Sequence, residues 1–333
     1  MYEFKKRGSA MTSRFNKHSL RLLIAAPFCA FAMTGAAAEA AKCPSGFPDK
    51  PIRFVVGFAA GGGTDVIARS IANAMEKQQK WTIVVENKPG ANGGGMAVWL
   101  KSQPADGYIV GVAGTDAISV NPAQGNVGYT WRDFDYLGSG MQTWLGLVAL
   151  SDRPYSDLAG LVAYAKQKGR ATVSVAGINQ EVLIRQLAEE FKVNLIAVPG
   201  TGAAEAMTSA LGGHVDATTQ GTLHVAQIKS GKMKQLASII DRRVPYAPDS
   251  GTLAEQGSKA QPLNSHTILI TPRGLAEPVK TCLKEAVAQA VKSPDYEAQM
   301  AKFENEALNL GEDGNRDLNA RLADFYASML AKK

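Results

Sequence analysis

Cysteine and histidine are scarce, three of one and four of the other in 333 residues. Cys29 falls in the first forty residues and Cys43 and Cys282 stand far apart. No CxxC pair or Cys/His cluster has metal-ligand spacing, which argues against a zinc site or a thioredoxin-type redox motif. The recurrent catalytic motifs are missing as well. There is no G-x-S-x-G elbow and no HExxH. Gly57–Thr64 (GFAAGGGT) has the glycine spacing of a phosphate-binding loop, but Gly63 stands where the lysine belongs. Gly200-Thr201-Gly202 lacks the third glycine of a dinucleotide fingerprint. Beyond the first forty residues the histidines are His214, His224 and His266, none in a catalytic spacing, so each reads as a surface or hydrogen-bonded structural residue. No catalytic residue, metal or cofactor is therefore expected, and the chain is not read as an enzyme. Past residue 41 no apolar run is long enough to cross a bilayer, and no low-complexity tract or solenoid-length repeat appears.

What is present at the N-terminus has the order of an export signal. Lys5, Lys6, Arg7, Arg14, Lys17 and Arg21 precede an apolar run from Leu22 to Met33, and Ala36, Ala38 and Ala40 supply the small residues of a cleavage site. Residues 1–41 are accordingly expected to be removed and the mature protein to be periplasmic. The segment carries six basic residues against two acids, so the formal charge of +6 falls to +2 without it. The basic balance belongs to the signal, and no nucleic-acid partner is inferred. In an oxidising compartment Cys43 and Cys282 can pair. The alternative is two unpaired thiols, with Cys282 a small apolar residue on a buried helix face.

The remaining chain is long enough for two compact lobes. Apolar β-rich runs alternate with helical periodicity, the pattern of an α/β protein with mainly parallel sheets flanked by helices. Strands are expected at 52–58, 82–86, 108–113, 172–176, 195–198, 215–219, 235–240 and 265–271. Helices are expected from residue 64 or 65, then at 95–102, 157–168, 180–191, 202–211, 222–230, 278–292, 294–303 and 315–331, with a short one at 252–256 inside a Pro/Gly-rich loop.

Three strand ends run into glycine and small polar residues and then a helix: Phe58–Asp65, Ala176–Glu181 and Val198–Glu205. Helix N-termini present unpaired N–H groups and partial positive charge, and glycine admits a ligand close to the backbone. Any one such turn is no more than a tight turn. Three in a chain of two lobes point to a shared anion-binding cleft at the carboxyl ends of the strands.

The run Phe47–Asp65 (FPDKPIRFVVGFAAGGGTD) with Ala68-Arg69 resembles the amino-terminal signature of the Bug family, the TctC-type receptors of tripartite tricarboxylate transporters. Val84–Ala91, Pro104–Tyr108, Leu161–Lys166, Leu211–Asp216 and Ile228–Lys232 are similar to family blocks in the same order, so the resemblance spans essentially the whole mature chain. It implies a type II, Venus-flytrap periplasmic binding protein whose lobes are joined by crossing strands. Lobe 1 would comprise residues 42–145 and 262–333 and lobe 2 residues 146–261, to within about ten residues.

It also implies a small organic carboxylate as ligand, held by backbone groups of the first loop and two ordered waters. Phe58, Ala59, Ala60, Gly61, Gly62 and Asp65 would form the first wall, with Thr115 and Asp116 from the same lobe. Gly177, Ile178, Asn179, Gln180, Thr201 and Gly202 would come from the other. Asp65 reads equally as a plain helix cap. Asp116 either caps a helix or favours a ligand with an amino group or other donor.

This chain departs from the family where Gly200-Thr201-Gly202 replaces a Tyr-Lys-Gly stretch, Gln220-Gly221 an Asp-Asn pair and Asn179-Gln180 a serine-rich loop. The ligand therefore cannot be copied from a relative. The implied partners are the membrane subunits of a tripartite transporter or a sensor protein, and the receptor is expected to be a monomer. The competing reading is a periplasmic hydrolase or transferase that uses the same cleft.

Overall fold

The computed structural model describes residues 41–331 except 126, 201, 222 and 304, so the signal reading, Ala41 apart, and Thr201 lie outside the described residues. From the N-terminus the chain forms β1 (Ile52–Val56), α1 (Gly63–Gln79), β2 (Ile83–Asn87), α2 (Gly94–Lys101), β3 (Ile109–Gly114), α3 (Thr115–Gln124) and then two strands in succession, β4 (Phe134–Gln142) and β5 (Gly146–Leu150). It continues through α4 (Leu158–Lys168), β6 (Ala171–Val175), α5 (Ile178–Phe191), β7 (Leu195–Pro199), α6 (Ala203–Leu211), β8 (Ala217–Gln220), α7 (Leu223–Lys229) and β9 (Met233–Ser238). Strand β10 (His266–Pro272) and helices α8 (Glu277–Val291), α9 (Pro294–Lys302) and α10 (Gly311–Leu330) complete it.

The strands make two five-stranded sheets of matching order, β2-β1-β3-β10-β4 and β7-β6-β8-β5-β9. In each sheet the first three strands pair in parallel. One strand, β10 or β5, runs against both neighbours. The sheets are therefore mixed, with four strands pointing one way and one reversed. The reversed strand is the one that has just crossed from the other sheet.

Parallel strands covered on both faces need apolar residues at successive positions, and IRFVV supplies them with only Arg53 exposed. One face of the first sheet packs Phe54, Val56, Val112 and Leu269 on Ile67, Ile71 and Met75 of α1 and Leu283 and Val287 of α8. The other packs Val55, Ala113 and Ile270 on Met96 and Leu100 of α2 and Ile118 of α3. The second sheet buries Leu147, Val173 and Val175 against Leu161 of α4 and Leu183 and Leu187 of α5. Cys43 and Cys282 are joined by a disulfide, with their Cα atoms 4.7 Å apart, fixing the segment before β1 to α8.

Four elements differ from the sequence expectation, among them β5 (Gly146–Leu150), where no strand was expected. Strand β4 (FDYLGSGMQ) is buried at every position yet carries Gly138 and Gly140, residues depleted from strands. A Cβ at Gly138 would meet Asn309 Oδ1 at 2.8 Å, and one at Gly140 would meet Tyr296 Oη at 2.6 Å, so packed neighbours fill the room that side chains would take. Helix α3 contains Pro122 and is buried around much of its girth, which erases its periodicity. The expected helix at 252–256 is a series of turns. Thr252 and Glu255 do exchange the reciprocal hydrogen bonds of a helix start. The chain then leaves through Gly257 at φ +84°.

The crossings lie side by side. Thr143 N donates to Ser265 O at 2.8 Å and Ile239 N to Leu145 O at 3.1 Å. Gln142 Nε2 donates to Asp241 Oδ1 at 3.2 Å and to Asn264 Oδ1 at 3.0 Å.

Candidate functional site

The topology brings the carboxyl ends of β1, β2 and β3 to one edge of the first sheet and those of β6, β7 and β8 to one edge of the second. At the first of these, Ala59 to Gly63 form an exposed loop between β1 and α1, and Gly61 takes φ +78°, which glycine alone adopts freely. Phe58 anchors the loop. Its ring packs beside the starts of α2 and α3, 3.4 Å from where a Cβ at Gly93 would stand and 3.9 Å from one at Gly114, both ordinary contacts, while a Cβ at Gly93 would meet Ala117 Cβ at 2.9 Å.

Asp65 shapes this loop from behind. Its Oδ2 accepts from Gly61 N at 2.9 Å and from Arg69 Nε at 3.0 Å, and its Oδ1 accepts from Asn87 Nδ2 at 2.9 Å. Asn87 Nδ2 also donates to Phe58 O at 3.0 Å. The carboxyl is held at about 2, first by the hydrogen bond from Arg69 and against the opposing cost of burial. The residue is 2% exposed and caps no helix, since α1 starts after Gly62 without a side-chain cap. Of the two roles expected for Asp65, wall or cap, its side chain therefore performs neither. It fixes the shape of the loop.

Thr115 and Asp116 begin α3 and divide the work. The Thr115 hydroxyl donates to His266 O at 3.0 Å and accepts from His266 N at 2.9 Å. Thr115 is wholly buried, so its side chain ties α3 to β10 instead of facing a ligand. Asp116 is half-buried and reaches outward. Its Oδ2 accepts from Asn179 Nδ2 at 3.1 Å and from Ser265 Oγ at 3.4 Å. Burial pushes this carboxyl up to about 6, a little relieved by the Ser265 hydroxyl.

Across the gap, Gly177 precedes α5, and Asn179 turns its Oδ1 to Gln180 N at 2.9 Å while its amide reaches Asp116. Gln180 is buried, with Oε1 accepting from Ala176 N at 2.6 Å and Thr219 Oγ1 at 2.8 Å, so it braces the turn. Ile178 packs against Val120 of α3 and Val182, Leu318, Leu322 and Tyr326, a cluster that joins both lobes through α10. Gly202 opens α6. Gln220 at the end of β8 is fully buried, and its amide donates to Ala203 O at 3.3 Å.

One regularity runs through the site. The helices that follow β1, β2, β3, β6 and β7 all start after a glycine that supplies no side-chain cap, although in α5 the Asn179 Oδ1 accepts from Gln180 N. Of the helices that start elsewhere, Asp157 caps α4 and Ser293 caps α9, whereas α8 and α10 start after Ala276 and Leu310, also without a side-chain cap. Uncapped N-termini leave donors and positive potential for an anion. Sequence reasoning missed Asn87 and Ser265, whose roles depend on partners distant in the chain. The position of Asn87, last in β2 and so at the cleft edge, was the available signal.

His224 is a structural residue. It is buried, pairs through Nδ1 with Gly221 O and lies 2.7 Å from Tyr246 Oη through Nε2, and burial lowers it to about 4. Among the described residues no group of three or more His, Cys, Asp or Glu could hold a metal ion. No described helix is long and apolar enough to cross a membrane. Beside the crossings lies a cavity of about 380 Å³ bordered by Gln142, Arg242, His266 and Arg321. None of the residues expected to face a ligand lines it.

Residues 67–324 match the model of the tripartite tricarboxylate transporter family receptor, TctC. A TctC solute-binding protein from Polaromonas, solved without ligand, is 26% identical with a TM-score of 0.78 over 86% of this chain and 100% of its own. The periplasmic binding protein BugD is 30% identical, TM-score 0.68, over 86% of this chain and 98% of its own. MatC from Rhodopseudomonas palustris, solved with bound malate, is 25% identical, TM-score 0.69, over 85% of this chain and 100% of its own.

Proposed function

The chain belongs to the TctC family of tripartite tricarboxylate transporter receptors, and from this premise we propose that it is exported, loses residues 1–41 and captures a small carboxylate between its lobes for delivery to the membrane subunits of such a transporter. The observation that carries the reading is the contact from Asn179 to Asp116 at 3.1 Å, which sets the glycine-capped helix starts of one lobe against those of the other. A carboxylate entering between them meets unpaired N–H donors and helix-dipole potential without an ammonium or guanidinium counter-ion. The resemblance to malate-bound MatC supports a carboxylate ligand of that size. The wall is formed by the backbone of residues 58–62 from lobe 1 and by Gly177, Ile178, Asn179 and Gly202 from lobe 2. The receptor works as a monomer.

The test is a thermal-shift screen of the purified protein against aliphatic and aromatic mono-, di- and tricarboxylates, amino acids and neutral controls, with recovery of each hit by mass spectrometry. A ligand at a hundred times its dissociation constant adds about 2.7 kcal/mol of stability. A carboxylate hit recovered intact is the expected result. A hit that is consumed would instead establish an enzyme, and hits confined to neutral compounds would refute the carboxylate.

A further inference from the structure

Asp116 is acceptor-only when ionised, and the protein engages one of its two oxygens. Oδ2 takes both the Asn179 amide and the Ser265 hydroxyl, whereas Oδ1 has no hydrogen bond from any described group. No Lys or Arg among the described residues pairs with it. The residue stands on the first turn of α3, two residues after Gly114, whose neighbour is the Phe58 ring of the first wall. It is thus a half-buried, uncompensated carboxylate at the meeting point of both lobes and the crossing. Closing the cleft on a ligand would bury it further, which is unfavourable for a charge left without a partner. The backbone groups at the starts of the flanking helices are N–H donors suited to an anion.

We propose that the ligand carries an ammonium group as well as its carboxylate, and that Asp116 Oδ1 accepts from that ammonium and so sets the specificity of the cleft. This rests on the receptor reading above and narrows its substrate class to amino acids and related zwitterions. Carboxylate and ammonium then meet opposite features of one cleft: helix N-termini on one side, Asp116 on the other. A ligand that brought a second carboxylate to Asp116 would set like charges together in a partly desolvated site. A hydroxyl at the same place would donate, but without the charge assistance that roughly doubles such a bond.

The assignment is tested by isothermal titration with sets of acids that share a skeleton: succinate, malate and aspartate; glutarate, 2-hydroxyglutarate and glutamate; propionate, lactate and alanine. In at least one set the amino member binds at least tenfold more tightly than the unsubstituted one, with the hydroxy member between. Asp116→Asn and Asp116→Ser reduce that preference to less than threefold while the unsubstituted acid keeps or gains affinity, and circular dichroism checks that both variants fold. A preference for the unsubstituted or hydroxy acid, or an amino preference that survives both substitutions, sinks this assignment and leaves the receptor intact. A protein that binds no acid in any set overturns this assignment, while the wider carboxylate screen above decides the receptor reading separately.

Discussion

Gly61 and Asp65 are linked across the first turn of α1, the N–H of Gly61 donating to the carboxylate at 2.9 Å. The bond holds an exposed glycine loop in one shape from inside the lobe. Arg69 and Asn87 complete the set of donors, so the carboxylate is satisfied only while the loop keeps that shape. Asp65→Asn keeps the size and loses the charge. It is expected to cost roughly 1–3 kcal/mol at pH 7, and to weaken carboxylate binding through a loosened loop. The folded pKa, at about 2, lies below the usual value of 3.8, so the stabilisation is present above 3.8 and fades as pH falls towards 2. Urea unfolding at pH 7 and pH 3 should show the gap between wild type and variant narrowing in acid.

Burial holds His224 and His266 neutral, each lowered to about 4. The unfolded chain protonates them near 6.5, so the folded state loses ground as pH falls from 6.5 to 4, by about 3 kcal/mol for each residue. The expected outcome is a steep fall in the urea midpoint over that window. His224→Gln, which retains hydrogen-bonding groups, should flatten it.

Asp116 acts in the opposite sense. Its folded pKa, about 6, exceeds the ordinary 3.8, so stability is greatest below 3.8 and is lost as pH rises towards 6. Without ligand, Asp116→Asn should therefore stabilise the protein above pH 6, by about 2 kcal/mol, and make little difference at pH 4. Thermal melts at the two pH values decide it.

The disulfide joins residues separated by 239 positions. In the chain-entropy model such a closure contributes about 5 kcal/mol, although the origin of disulfide stabilisation is disputed. Replacing both Cys43 and Cys282 by Ala should lower Tm by roughly 10 °C. Calorimetry with and without reductant should give wild type and variant the same Tm once the bond is reduced.

Leu322 of α10 is 3% exposed in the cluster that brings Val120 of lobe 1 and Val182 of lobe 2 together. Arg185 of α5 adds a hydrogen bond to Met329 O at 2.9 Å. Leu322→Ala should cost 2–5 kcal/mol by cavity formation, and should also enlarge the ligand-free particle in small-angle scattering by releasing the lobes. A variant that melts earlier with unchanged dimensions would confine α10 to a role within lobe 1.

Much of this was legible in the chain. The apolar runs of β1, β3 and β6 and the face of Ile67, Ile71 and Met75 announced strands and helix without help from tertiary structure. The glycine turns pointed to the cleft because glycine before a helix is a local feature. Strand β4 did not announce itself, since Gly138 and Gly140 make sense only beside Asn309 and Tyr296. For the same reason Asp65 left two roles open: the Asn87 amide that settles its position arrives from another strand. Thr115 and Gln180 were expected to face a ligand, and their side chains bond the protein's own backbone.

The reversed strands also decide when each half can take shape. Sheet 2 draws its strands from the contiguous stretch Gly146–Ser238, nested inside the other, whereas sheet 1 waits for β10. A chain emerging N-terminus first has the inner lobe complete while β3 still presents a bare edge and Cys43 still lacks its partner. Closing so long a span is the slow, entropically costly event. The finished inner lobe shortens it by bringing β4 and the start of β10 together at the crossing. The later part of the chain thus serves as template for the earlier, and the first wall of the cleft is among the last features to set.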